Sequence, residues 1–163
     1  MNIGVLGGTF DPPHDAHLRI AKRSIDQFNL DRVIFIPSGN PWQKKDATSY
    51  RHRYEMTKIL IGDSNDLEIS DIENSEKNPS YTYETLKKLN HPKEELYFIL
   101  GSDAAINIKT WKNYELLENL TNFLIALRSE DNIDLLEKNF PFNYEIISGA
   151  VSYTHLTLPT RIF

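Results

Sequence analysis

Between residues 7 and 17 the chain reads Gly7-Gly8-Thr9-Phe10-Asp11-Pro12-Pro13-His14-Asp15-Ala16-His17. Two adjacent glycines let backbone approach a ligand closely, and Pro12 and Pro13 stiffen the turn that follows. His14 and His17 are three residues apart, so in a first helical turn they share a face. The N–H groups that open such a helix suit an anion. The string therefore predicts a phosphate site with two imidazoles aimed into it. It lacks the Gly-Lys-Ser/Thr of a nucleotide-binding phosphate loop and is not a Gly-x-Gly-x-x-Gly dinucleotide fingerprint. Taken singly, each histidine reads as well as a cap or surface residue, and two histidines at this spacing also suit zinc. The whole string favours phosphate chemistry over either.

Further polar segments follow apolar runs. Pro37-Ser38-Gly39-Asn40-Pro41-Trp42-Gln43-Lys44 follows Val33 to Ile36, and Gly101-Ser102-Asp103, with Thr110-Trp111 beyond it, follows Leu96 to Leu100. Such apolar runs read as strands buried on both faces. Ile3, Val5 and Leu6 form a first strand, Leu67 to Ile69 a weaker one, Phe123 to Leu127 another and Tyr144 to Ile147 a last. Between them Leu18, Ala21, Ile25 and Phe28 recur at helical spacing from about Asp15. Arg51 to Ile61 predicts a helix with Tyr54, Met56, Ile59 and Leu60 facing the core. Thr82 is expected to cap a helix through Leu89, and Tyr114 to Leu120 reads as a short helix. Arg51, His52 and Arg53 read as the wet face of their helix. Asp63 to Lys77 reads as a loop over the ligand pocket or as an ordinary solvated connection, the latter preferred.

Strands alternating with helices argue for an α/β fold with a parallel sheet covered by helices on both faces. Ligands then bind beyond the carboxyl ends of the strands, where the loops at Gly7, Pro37 and Gly101 should converge. The 163 residues carry 40% hydrophobic and 25% charged side chains, which suits one globular domain. A net charge of −5 counts against a nucleic-acid partner. The lack of cysteine excludes disulfides, thiol catalysis and cysteine-held zinc. No apolar run approaches the roughly 20 residues of a membrane span, and no signal peptide precedes the first strand. A cytoplasmic enzyme or binding domain is expected, as a monomer or homo-oligomer.

These motifs resemble the nucleotidyltransferase superfamily, with its Thr-Phe-Asp-Pro and His-x-Gly-His elements; Ala16 stands where that pattern has glycine. The later segments narrow the resemblance to nicotinate-mononucleotide adenylyltransferases. Ile36-Pro37 through Lys44 is similar to their Ile-Pro…Pro-Pro-His-Lys segment, with Trp42-Gln43 in place of Pro-His. Ser80-Tyr81-Thr82-Tyr83-Glu84-Thr85-Leu86 resembles Ser-Tyr-Thr-x-x-Thr-Leu. Gly101 to Asp103 with Trp111 resembles Gly-x-Asp…Trp, and Phe123 to Arg128 the strand that ends in arginine.

The resemblance implies a Rossmann-like doubly wound parallel sheet of nucleotidyltransferase type. It implies transfer of the adenylyl group of ATP to nicotinate mononucleotide, giving the dinucleotide and pyrophosphate without a covalent intermediate. His14 and His17 would serve the ATP phosphates as the catalytic pair. Gly7, Gly8, Thr9, Phe10, Lys44, Gly101, Asp103, Arg128 and Ser148 would bind ATP. Asn40, Ser80, Tyr81, Thr82 and Trp111 would bind the acceptor, with Trp111 stacked on the pyridine ring. Mg²⁺ would arrive with ATP, and no protein metal site is expected. Sister activities, pantetheine-phosphate adenylyltransferase or a cytidylyltransferase, share the first loop but lack the Ser-Tyr-Thr and Trp features. A non-catalytic nucleotide-binding module is the reading from another class.

The resemblance ends at Ala150. Residues 151–160 back-translate into a common transposon-based sequencing adapter. Residues 1–150 are thus expected to form one domain, incomplete at its C-terminus, and 151–163 a non-native tail outside the fold.

Overall fold

The computed structural model describes residues 1–39, 48–74, 81–128 and 132–149. Asn40, Lys44, Ser80 and the tail over 151–163 lie outside the described residues. Among the described residues no helix is long and apolar enough to cross a membrane.

Among the described residues six strands form one sheet: β1 (Ile3–Gly8), β2 (Arg32–Pro37), β3 (Leu67–Ile69), β4 (Leu96–Gly101), β5 (Asn122–Ala126) and β6 (Glu145–Ile146). The order is β3-β2-β1-β4-β5-β6, and every neighbouring pair is parallel. The chain runs outward from β1 to β3, then returns to the other side of β1 as β4. That reversal opens a crevice between the carboxyl ends of β1 and β4. Gly7-Gly8 closes β1 and Gly101 closes β4, so both glycine turns stand at the crevice.

The connections are α1 (Asp15–Phe28), α2 (Tyr50–Ile61), α3 (Thr82–Leu89), α4 (Ser102–Ile106) and α5 (Asn132–Asn139), with 3₁₀ turns at Lys93–Glu95, Ile108–Thr110 and Tyr114–Asn119. Two apolar clusters cover the two faces of the sheet. One joins Leu6, Phe10, Ile20, Phe35, Ile99 and Leu124, the other Val5, Leu86, Phe98, Leu100, Leu117 and Ile125. A Cβ on Gly4 would sit 2.9 Å from Leu30 Cδ1, 3.0 Å from Val33 Cγ2 and 3.1 Å from Ile99 Cδ1, so glycine lets Leu30 and the side chains of β2 and β4 pack directly over β1.

Four expectations are corrected. Helix α2 is turned from the face read in the sequence: Tyr50, Arg53, Thr57 and Ile61 point inward, while Ile59 is 79% exposed. Arg51 and His52 are exposed as expected, but Arg53 is buried. The cause is hydrogen bonding, since backbone carbonyls of adjoining loops converge on the Arg53 guanidinium and outweigh the burial of one isoleucine. Thr82 is the first residue of α3 and Tyr81 its N-cap. Tyr114–Asn119 is a 3₁₀ segment entered through Asn113 at φ 57°, with i→i+3 bonds such as Leu120 N–H to Leu117 O.

Candidate active site

The β1–α1 loop is tied inward before it reaches the histidines. Phe10 has φ 51°, and its ring is 3% exposed, against Phe35 and the edge of His17. What Phe10 can offer a ligand is its backbone. The Asp11 carboxylate accepts the Thr48 N–H at 2.7 Å, joining the loop to the start of α2. The Asp11–Pro12 peptide is cis.

His14 is the N-cap of α1, in extended conformation, and His17 is the third helical residue. The His14 N–H donates to His17 Nδ1 at 2.9 Å, which satisfies a helix-end donor as the glutamate of a capping box does. The rings stack, with centroids 5.7 Å apart and planes 18° from parallel. His17 is 2% exposed. Because its Nδ1 accepts, the neutral ring carries its proton on Nε2.

On the far side of the crevice, Gly101 is the N-cap of α4. The buried Ser102 hydroxyl accepts the Arg128 N–H at 3.0 Å and the Asn132 amide at 3.1 Å, which fixes the end of β5 beside β4. Arg128 also donates to Asp103 at 3.0 Å. Asp103 and Arg128, both expected at the nucleotide, are thus brought together.

At the other end Trp111 packs edge-on against Phe98, centroids 6.2 Å apart. The Lys112 ammonium lies 4.6 Å from the Tyr81 ring centre and 3.7 Å from Glu84. The Thr85 hydroxyl donates to Glu73 at 2.5 Å.

One cavity of about 730 Å³ joins these parts. Gly7, Gly8, Thr9, Asp103 and Arg128 line it together with Tyr81, Thr82 and Trp111. Trp111 is therefore both a packing residue and a wall. His14 and His17 stand farther along the loop, beyond the residues that line this cavity. Ser148 lies elsewhere, on an open hollow with Gln27, Phe28 and Tyr144. Its backbone O and N–H are both held by the Gln27 amide, at 2.5 and 2.9 Å.

Sequence reasoning missed several participants. Glu73 lines the cavity although its segment read as a solvated connection. The Ser102 brace gives no local signal, because its partners lie 26 and 30 residues away. Arg53 had a signal in hindsight: with Thr57 and Ile61 it stands at i, i+4, i+8. Beside it, burial first and then the Asp71 and Glu73 carboxylates push the Tyr50 phenol well above the ordinary tyrosine range, so it stays uncharged. Among the described residues no three His, Asp or Glu side chains converge as a metal cluster.

Comparison with known proteins decides the family. Residues 5–156 match the cytidylyltransferase-like family model. A nicotinate-nucleotide adenylyltransferase of Clostridium novyi is 43% identical over 153 residues, covering 88% of this chain and 76% of that protein. The chain belongs to the nicotinate-nucleotide adenylyltransferase family. A member from Geotalea daltonii is 42% identical, over 86% of this chain and 67% of its own length. Across three of these relatives the chain spans 60 to 76% of their length. Among solved structures, the nicotinic acid mononucleotide adenylyltransferase of Plasmodium falciparum complexed with NaAD superposes with a TM-score of 0.73 at 30% identity, covering 90% of this chain and 74% of that one. The fold is thus that of a nucleotidyltransferase.

Proposed function

We propose that the chain transfers the adenylyl group of ATP to nicotinate mononucleotide, giving nicotinate adenine dinucleotide and pyrophosphate in NAD biosynthesis. The observation that carries this reading is one cavity at the switch point, with the glycine loop at one end and Trp111 at the other.

A phosphate oxygen of the mononucleotide attacks the α-phosphorus of ATP. The bond from that phosphorus to the bridging oxygen breaks, and its electron pair leaves with pyrophosphate. A phosphate monoester has a second pKa near ~6, so the nucleophile is already an anion and needs no general base. What the reaction needs is alignment and a place for charge. His14 and His17, farther along the loop than the cavity lining, are assigned to the triphosphate end, where the Nε2–H of His17 would donate to a phosphate oxygen as the β1–α1 loop closes on ATP. The amides of Gly8, Thr9 and Phe10, with the Thr9 hydroxyl, complete the cradle. Gly7 and Gly101 leave the strand ends open to close approach. Arg128, steadied by Asp103, and Lys44 add positive charge, while Asp103 meets a ribose hydroxyl.

Trp111 stacks on the pyridine ring. The Ser80 to Thr82 turn offers donors to the nicotinate carboxylate, and Asn40 adds a polar contact. Mg²⁺ enters with ATP. Of the cavity carboxylates, Asp103 is engaged by Arg128 and Glu73 by Thr85, which fits a metal that would be held chiefly by phosphate oxygens and water. When bound it neutralises triphosphate charge. ATP and the mononucleotide are soluble metabolites, and the setting we assign is the cytoplasm.

Pyrophosphate release on mixing the chain with ATP and candidate acceptors tests the reading. Release is expected with nicotinate mononucleotide, and little with CTP or pantetheine phosphate. A preference for either of those moves the chain to a sister activity. ATP binding without release for any acceptor leaves a nucleotide-binding module.

A further inference from the structure

We infer that Arg53 is a positioning residue that orients the peptide groups of the phosphate loop; the inference rests on the function proposed above. Arg53 is 1% exposed. Its Nε donates to Thr48 O at 2.7 Å. One terminal nitrogen donates to Thr9 O at 3.0 Å and Ser38 O at 2.7 Å, and the other to Gly39 O at 3.2 Å. One side chain therefore binds the loop after β1, the end of β2 and the approach to α2. The Ser38 N–H to Gly8 O bond at 2.9 Å and the Asp11–Thr48 bond lace the same segments.

The consequence for an anion follows from peptide geometry. In a planar trans peptide the carbonyl and the following N–H point in opposite directions. By drawing the Thr9 carbonyl back toward α2, Arg53 turns the Phe10 N–H the other way. It thereby withdraws a carbonyl oxygen, which repels phosphate, and presents an amide, which binds it. Phe10 also sits in the left-handed region, which a residue with a Cβ rarely adopts. Such a conformation persists where its surroundings over-determine it, and Arg53 grips the carbonyl immediately before it. A lysine supplies a rotating ammonium without a planar fork, so it cannot fix several carbonyls at set angles.

The test uses the full chain with R53A and R53K. Equilibrium affinity for inorganic pyrophosphate is measured by calorimetry, with turnover and circular dichroism alongside. The expected result is a folded R53A with about tenfold weaker pyrophosphate binding, recovered in part by millimolar ethylguanidinium and not by R53K, and an acceptor KM changed less than about twofold. Pyrophosphate affinity within about twofold of wild type in folded R53A overturns the inference. So does a fall in acceptor KM performance equal to the fall in phosphate affinity. Loss of the fold in both variants assigns Arg53 to the core and overturns it as well. Wild-type chain that binds pyrophosphate but makes no dinucleotide refutes the proposed function alone, and the affinity comparison still decides the role of Arg53.

Discussion

The His14 backbone N–H donates to Nδ1 of His17, and this one bond sets the tautomer of a ring that is almost wholly buried. Under the proposed function the helix cap and the chemistry would share a side chain. H17N can keep an acceptor for the His14 amide but loses the donor at the ring's far end. Turnover is expected to fall about 10²- to 10³-fold, the usual cost of one preorganised donor. The melting temperature should move far less than in H17A. Steady-state kinetics and thermal melts on both variants check this. Equal turnover in H17N and wild type excludes Nε2 from the reaction.

Asp103 and Arg128 meet at 3.0 Å, with both side chains about 40% exposed. A pair so accessible contributes at most about 1 kcal/mol to stability. R128A is thus expected to melt near wild type while its KM for ATP rises. A double-mutant cycle with D103N measures the coupling. A large drop in melting temperature with unchanged KM assigns the pair to structure alone.

Trp111 forms a wall of the cavity and packs on Phe98. Stacking on a heterocyclic ring is worth about 1–3 kcal/mol, so W111A should raise the KM for nicotinate mononucleotide roughly five- to hundredfold. W111F should recover part of this. The KM for ATP is expected to change little. A parallel rise in both would mean that the cavity has collapsed.

G4A tests the packing. Its Cβ would meet three apolar side chains at 2.9 to 3.1 Å, and overpacking of that kind costs typically 1–3 kcal/mol (about). The midpoint of denaturant unfolding should fall, with turnover per folded molecule unchanged. An unchanged midpoint shows that the Leu30, Val33 and Ile99 side chains yield easily.

The parts of the fold governed by local rules were legible in the sequence. The start of α1 at Asp15 follows from the turn before it, and β3 at Leu67–Ile69 from a short apolar run. The glycine loops lie at strand ends, as their residue types require. Illegible were features decided by partners distant in the chain. The face of α2 is set by carbonyls at Thr9 and Ser38, 44 and 15 residues from Arg53. Glu73 reaches the cavity because its partner Thr85 stands in α3. The turn at Tyr114–Asn119 has apolar residues that also suit an α-helix, and its 3₁₀ form reflects the packing of Leu117 under the neighbouring sheet.

Arg53 grips Gly39 on one side of residues 40–47 and Thr48 on the other. Gly39 and Thr48 are therefore pinned to a common post, and a change at Arg53 is felt at the end of β2 and at the approach to α2 together.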